Sequence, residues 1–273
     1  MKKPILPILF ILCSVTIFSQ SQLTWFPSDI NLRQFTANFL EPRAGFAFET
    51  GGSKIRLDIG RSQDILQIRN DNSVLSFGAD LFTFTRLRAE SEFHFPVETI
   101  DYLFGINSVY KIKDQTREYG FRFRLSHISA HLVDGQYDSK INFWRNYRSA
   151  FTYTREFIEL FPFYSYRSLR VYGGVTFLFH RKPFDVGRGV YQAGFDYYYT
   201  GFKNIYPYVA YDFKLEEINK FSGSNIITAG IKFGDYESRG LNLAVTYFAG
   251  KSIHGEFYDV NESYATIGFN LDL

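Results

Sequence analysis

The residues whose types and spacing suit chemistry are His127 and Ser129, a His-x-Ser pair inside the segment REYGFRFRLSHISAHLVDG that runs from Arg117 to Gly135. A serine becomes a nucleophile when a base lies within hydrogen-bond reach and a third group orients that base. Side chains two apart on an extended segment share a face, so a strand sets the histidine beside the serine. The chemistry would be acyl transfer, with Ser129 as nucleophile and His127 as base. The plainer reading is a pair of interfacial polar residues at the rim of a sheet.

The element that holds them is legible. Phe121, Phe123 and Leu125 share the face of His127 and Ser129, while Arg122, Arg124 and Ser126 occupy the other. The same two-sided pattern recurs along the chain. Ile55, Leu57 and Ile59 alternate with Lys54, Arg56 and Asp58, and Leu241, Leu243, Val245 and Tyr247 alternate with Gly240, Asn242, Ala244 and Thr246. Strands are predicted at 43–50, 53–69, 74–88, 98–112, 117–130, 147–163, 168–180, 188–200, 204–215, 224–234, 239–250 and 262–273. Aromatic residues make up 19% of the chain, with 31 Phe and 20 Tyr, a composition suited to pleated surfaces. So many two-faced strands with so little between them leave no second layer for a soluble core, and lipid is the remaining partner for the apolar faces. A closed barrel is the one strand-built fold that satisfies its backbone in lipid. The fold class is therefore all-β, a single antiparallel transmembrane β-barrel of about twelve strands.

Short turns are expected at 70–73, 113–116, 164–167, 201–203 and 235–238, and longer outer loops at 89–97, 131–146, 181–187, 216–223 and 251–261. Outer-membrane barrels place short turns in the periplasm and long loops outside.

Residues 1–20 have the layout of a cleaved secretory signal peptide: Lys2 and Lys3, an apolar run from Ile5 to Phe18, then small or polar residues. Residues 21–42 read as a lead-in with a short helix or plug, since Leu32, Phe35 and Phe39 fall at roughly helical spacing, and 43–273 read as the barrel. Cys13 is the only cysteine and lies in the signal peptide, so the mature chain has neither disulfide nor thiolate chemistry. Removing Lys2 and Lys3 from the 30 basic residues leaves 28 against 28 acids, a balance that argues against a nucleic-acid partner. The expected address is the outer membrane of a Gram-negative cell. The expected partners are outer-membrane lipids and, during biogenesis, the outer-membrane assembly machinery.

Two polar sets are further candidates. His131, Asp134 and Asp138 follow the His-x-Ser strand into the longest loop, and such groups are usual ligands for a metal or for calcium. Arg56, Asp58, Arg122, Arg124, Glu156, Asp196 and Asp212 are assigned to the lumen, where buried charges must pair.

The stretches FLEPRAGF at 39–46, RFRLSHISAH at 122–131, LRVYGGVTFLFHRKP at 169–183, YQAGFDYY at 191–198 and GKSIHGEFY at 250–258 together resemble the domain-of-unknown-function family 1207 of bacterial outer-membrane β-barrels. A more distant similarity is to the outer-membrane phospholipase A family, also twelve-stranded. That resemblance implies a serine-dependent phospholipid hydrolase, with His127 and Ser129 on the lipid-facing side and calcium as the cofactor to test. The family's Ser-Asn-Gly is here Ser129, Ala130 and His131, and its third catalytic position would fall to Thr152 or Asn146. Three functions stay open: a structural or interaction barrel, which is the default, the lipid hydrolase, and a narrow pore or transporter for small solutes.

Overall fold

The computed structural model describes residues 21–272, so the signal peptide expected at 1–20 lies outside the described residues. The strands are β1 (Gln22–Trp25), β2 (Ala44–Glu49), β3 (Lys54–Arg69), β4 (Ser73–Arg88), β5 (Val97–Lys113), β6 (Arg117–Leu132), β7 (Tyr137–Asp138) and β8 (Phe143–Trp144). They continue as β9 (Tyr153–Tyr166), β10 (Leu169–Lys182), β11 (Val186–Tyr198), β12 (Ile205–Ile218), β13 (Lys220–Gly234), β14 (Gly240–Lys251) and β15 (Asn261–Asp272).

β1 adds only to the lower end of β3, β7 and β8 form a small hairpin in an outer loop, and the other twelve strands close into one antiparallel barrel. Closure runs through β2, which pairs with β15 at Thr266↔Glu49 to Leu271↔Ala44 and with β3 at Gly45↔Asp58 to Phe48↔Ile55. All twelve predicted barrel strands are present, with ends shifted by a few residues. Among the described residues no helix is long and apolar enough to cross a membrane, and the apolar band lies on the outside of the wall. Leu81, Phe104, Ile106, Val175, Val245 and Ile267 are all exposed.

The turns follow their side chains. Asp114 Oδ1 accepts the amides of Thr116 and Arg117, each at 3.0 Å, and Asp235 Oδ1 accepts those of Glu237 and Ser238 at 2.9 Å, as Asx turns do. Two outer connections are shorter than expected. β10 and β11 run on to Lys182 and from Val186, and β12 and β13 meet across Asn219 alone, because those hairpins keep pairing past the apolar band.

The lead-in is a plug, and its predicted helix does not form. Residues 26–43 enter the lumen as irregular chain and bury Asn31, Phe35, Ala37, Asn38, Phe39 and Glu41. The apolar spacing at Leu32, Phe35 and Phe39 serves packing against different walls instead of one helical face. Phe35 stacks on Tyr172 at 4.0 Å and on Phe161 at 5.6 Å, while Phe39 stacks on Phe248 at 5.6 Å. A Cβ at Gly174 would strike the Phe161 ring, so the stack needs glycine there. Backbone polar groups buried without a helix need side-chain partners. Arg170 donates to the carbonyls of Arg33 and Gln34 at 2.7 and 2.6 Å, and Asp64 accepts the Asn31 amide at 2.7 Å.

Glu41 anchors the plug through both carboxylate oxygens, each 2.7 Å from the Arg122 guanidinium. Burial alone would raise this carboxyl, but Arg122 outweighs it and brings the pKa from 4.5 down to about 2. A pKa lowered by folding stabilises the folded state above the unfolded value, and that contribution is lost as pH falls through the folded one. The plug is therefore expected to loosen between about pH 4.5 and about pH 2, read by protease access to residues 26–43 in folded, detergent-held protein. Unchanged access down to pH 2 would contradict this anchor.

Candidate active site on the outer wall

β6 runs outward, and its exposed face carries Phe121, Phe123 and Leu125, with Arg122, Arg124 and Ser126 buried behind them. His127 and Ser129 have the parity of Phe123 and Leu125 and lie on the outer wall, in the outer part of the strand. Ile128 and Ala130, between and beyond them, are buried in the lumen.

The neighbouring strand β9 supplies the group that holds the histidine. In the β6–β9 register His127 lies opposite Glu156 and Ser129 opposite Thr154. His127 Nδ1 is 2.7 Å from Glu156 Oε1. A carboxylate only accepts, so this bond places the proton on Nδ1 and leaves Nε2 as the free, basic nitrogen. Thr154 Oγ1 donates to the same Oε1 at 2.9 Å. On the far side, His180 of β10 contacts Glu156 Oε2 through its Nδ1. Glu156 thus joins two histidines and a threonine, and the Phe104 ring packs on His127 at 4.8 Å. Ser129 Oγ makes no hydrogen bond to the described residues, so its hydroxyl is uncommitted.

His180 reaches this cluster through a bulge. The β9–β10 register shifts between Leu178 and His180. Leu178 points into the core at 2% exposure, and both Phe179 and His180 point out. A bulge inserts one extra residue and re-aims the side chains beyond it. Without it, His180 would face the lumen.

Three sequence expectations change here. Glu156 does not belong to the lumen. β9 carries apolar residues on both faces, Phe157, Phe161 and Phe163 inside and Ile158 and Leu160 outside, so alternation alone does not fix its inward face, and the plug residue Phe35 packs on the side of Phe161 and Phe163. Thr152 does not take the third position, because it precedes β9 and the residue bonded to His127 is Glu156. His131, Asp134 and Asp138 are not gathered into a metal site, and no group of three or more His, Cys, Asp or Glu among the described residues is arranged to hold an ion. Asp138 instead pairs with Arg145 at 3.3 Å, and Asp134 caps the amide of Gly135.

The remaining lumen residues face inward and pair. Arg56 meets Asp58 at 2.7 Å, Arg122 and Arg124 share Glu159 at 3.0 and 2.9 Å, and Arg124 lies 3.8 Å from Asp80. Asp196 binds Arg33 at 2.8 Å and Arg170 at 2.7 Å, and Asp212 accepts from Tyr172 at 2.6 Å and Gln192 at 2.7 Å. At the outer mouth the 252–260 loop folds inward, where His254 Nδ1 meets Asp101 Oδ2 at 2.8 Å. Burial and the nearby Arg86 hold the His254 imidazole well below its ordinary pKa.

Two solved structures share this architecture. Outer membrane phospholipase A from Escherichia coli matches with a TM-score of 0.52 at 12% identity, over 88% of this chain and 93% of that one. An active-site mutant of the same enzyme matches with a TM-score of 0.54 at 12% identity, over 88% and 94%. At that identity the likeness is one of fold. No curated protein matches the chain. The family described as "Protein of unknown function (DUF1207)" matches residues 56–272, from β3 to the end of β15, and the chain belongs to that family.

Proposed function

We propose that this barrel resides in the outer membrane after removal of its signal peptide, and that it hydrolyses acyl esters of outer-leaflet lipids. Ser129 is the nucleophile, His127 the base and Glu156 the group that orients the base. The observation that carries this reading is the 2.7 Å contact between His127 Nδ1 and Glu156, with Ser129 two residues along the same outward face. The shared architecture with a phospholipase adds to it. An ester in the outer leaflet meets the wall and not the lumen, so the location suits the substrate.

In the reaction, Ser129 Oγ attacks the ester carbonyl while His127 Nε2 takes its proton. The imidazolium so formed is stabilised by Glu156 and returns the proton to the departing lysolipid alkoxide. Water, deprotonated by the same nitrogen, then releases the fatty acid from Ser129. The pore reading has less support, because the plug and its ion pairs occupy much of the lumen. Purified protein in mixed phospholipid–detergent micelles, with and without calcium, is expected to release fatty acid. If none is released under either condition, the hydrolase reading fails and a structural or interaction role remains.

The orientation that this function needs gives a second expected result. An epitope inserted between Asp134 and Ser139 should be reached by antibody on whole cells, and one at 114–116 should be hidden until the outer membrane is opened. Labelling of the second alone would turn the barrel over and put the site at the wrong leaflet.

A further inference from the structure

The plug leaves one side of the lumen unfilled. It packs against the aromatic wall of β9 and β10, where Phe35 lies between Phe161 and Tyr172. The opposite wall, from β13 through β14 and β15 to β2, presents small side chains inward: Thr228, Ala244, Thr246, Thr266, Gly268 and Ala47. Between plug and wall runs a chamber of about 110 Å³. The pairing of β15 with β2 orders it from Glu49 and Glu262 near the outer end to Asn270 and Asp272 near the periplasmic end. Lys54, at the outer end, keeps 40% of its side chain exposed and marks the mouth.

The charges around this chamber are unequal in their pairing. Among its carboxylates, Asp58 is bound to Arg56 at 2.7 Å, Glu262 to Arg86 at 3.2 Å and to Lys54 at 3.3 Å, and Asp272 to Lys232 at 2.7 Å. Glu49 has no cation within ion-pair distance among the described residues and stands at the outer end. The guanidinium groups are short of partners. Arg33 Nη1 and Arg56 Nη1 are buried without any hydrogen-bond partner and are covered by their neighbours. Arg43 donates only to backbone carbonyls, from Nε to Glu41 at 3.3 Å and from Nη2 to Asn38 at 2.6 Å. Among the described residues it meets no carboxylate at ion-pair distance. Burial outweighs the nearby Asp58 and Glu41 and holds its pKa below the ordinary arginine value, as expected for a cation short of counter-charge.

An unpaired buried N–H of a guanidinium is costly, and the planar fork of arginine matches the oxygens of phosphate and carboxylate. We propose that the chamber is a binding site for a small oxyanion, phosphate or carboxylate in kind, entered from the outer rim and held by Arg43, with the guanidinium charges of Arg33 and Arg56 beside it adding to the attraction. The site is separate from the outer-wall cluster and does not depend on hydrolysis.

The test is thermal unfolding of the detergent-folded full chain in sodium phosphate, in sodium acetate and in sodium chloride of matched ionic strength. A ligand that binds only the folded state raises the midpoint by an amount that grows with the logarithm of its concentration above Kd. The expected result is a rise in phosphate or acetate beyond that in chloride, and whichever salt gives it names the source of the oxygens. Arg43→Gln should weaken the response at least about tenfold in concentration, the loss of a single charge-assisted contact of about 1.4 kcal/mol or more. Ala244→Leu fills the chamber without touching a charge and should weaken it as well. No rise beyond chloride in the wild type overturns the proposal, and so does an undiminished response in Arg43→Gln. If Arg43→Gln does not fold, the Ala244→Leu response decides.

Discussion

Ser129→Ala is expected to reduce fatty-acid release from mixed micelles to the uncatalysed background, and His127→Ala should do the same. Both side chains lie on the outer wall, so neither substitution opens a cavity in the core. Surface changes of this kind stay within about 0.5 kcal/mol in stability, and the unfolding midpoint should hardly move. Glu156→Gln is the more informative variant. In the proposed reaction Glu156 is a positioning residue, because it bonds His127 Nδ1 at 2.7 Å and not the substrate. An amide in its place keeps the shape and loses the charge that favours the imidazolium. The expected loss is on the order of 10²–10⁴-fold in kcat, with KM nearly unchanged. The readout is the split between kcat and KM. A Glu156→Gln enzyme as active as the wild type would remove the third member of the triad, and a fully active Ser129→Ala enzyme would remove the reading altogether.

The largest stability effect is expected in the lumen, at Glu159. This carboxylate takes hydrogen bonds from both Arg122 and Arg124, at 2.9–3.1 Å. Arg124 is almost fully buried, and its next carboxylate, Asp80, is 3.8 Å away. Removing one partner of a buried ion pair strands the other charge and costs about 3–5 kcal/mol. Glu159→Leu should therefore lower stability by about that amount in urea-gradient or heat-modifiability measurements, while leaving the outer-wall site in place. The double change Arg124→Leu with Glu159→Leu should recover part of the loss, because an apolar pair of similar volume carries no desolvation cost. A single-variant loss under about 1 kcal/mol would mean that water or Asp80 takes over the charge more readily than the geometry implies.

These two variants also separate the two faces of the wall. One alters chemistry without stability, and the other alters stability without chemistry.

Period-two alternation was enough to place all twelve barrel strands and to predict that His127 and Ser129 share the face of Phe123 and Leu125. That information is local, since each residue's face follows from the parity of its neighbours. The six lumen residues Arg56, Asp58, Arg122, Arg124, Asp196 and Asp212 were legible for the same reason. The plug's buried aromatic residues are visible in the sequence too, but their near-helical spacing points to the wrong local structure, because Phe35 and Phe39 pack on separate walls of the lumen and not along a helix axis.

What parity could not supply was register across a long connection. Twenty residues separate the end of β6 from the start of β9, and nothing in that loop states which β9 residue will stand opposite His127. Only the closed ladder sets Glu156 there. The side on which Glu156 points depended on Phe157, Phe161 and Phe163 finding the plug inside the barrel, and the outward turn of His180 depended on one extra residue in β10. Strand identity, and face wherever one side alone is apolar, are therefore properties of short segments, whereas the His127–Glu156–His180 cluster comes from hydrogen bonding between strands distant in sequence, which only barrel closure brings into line.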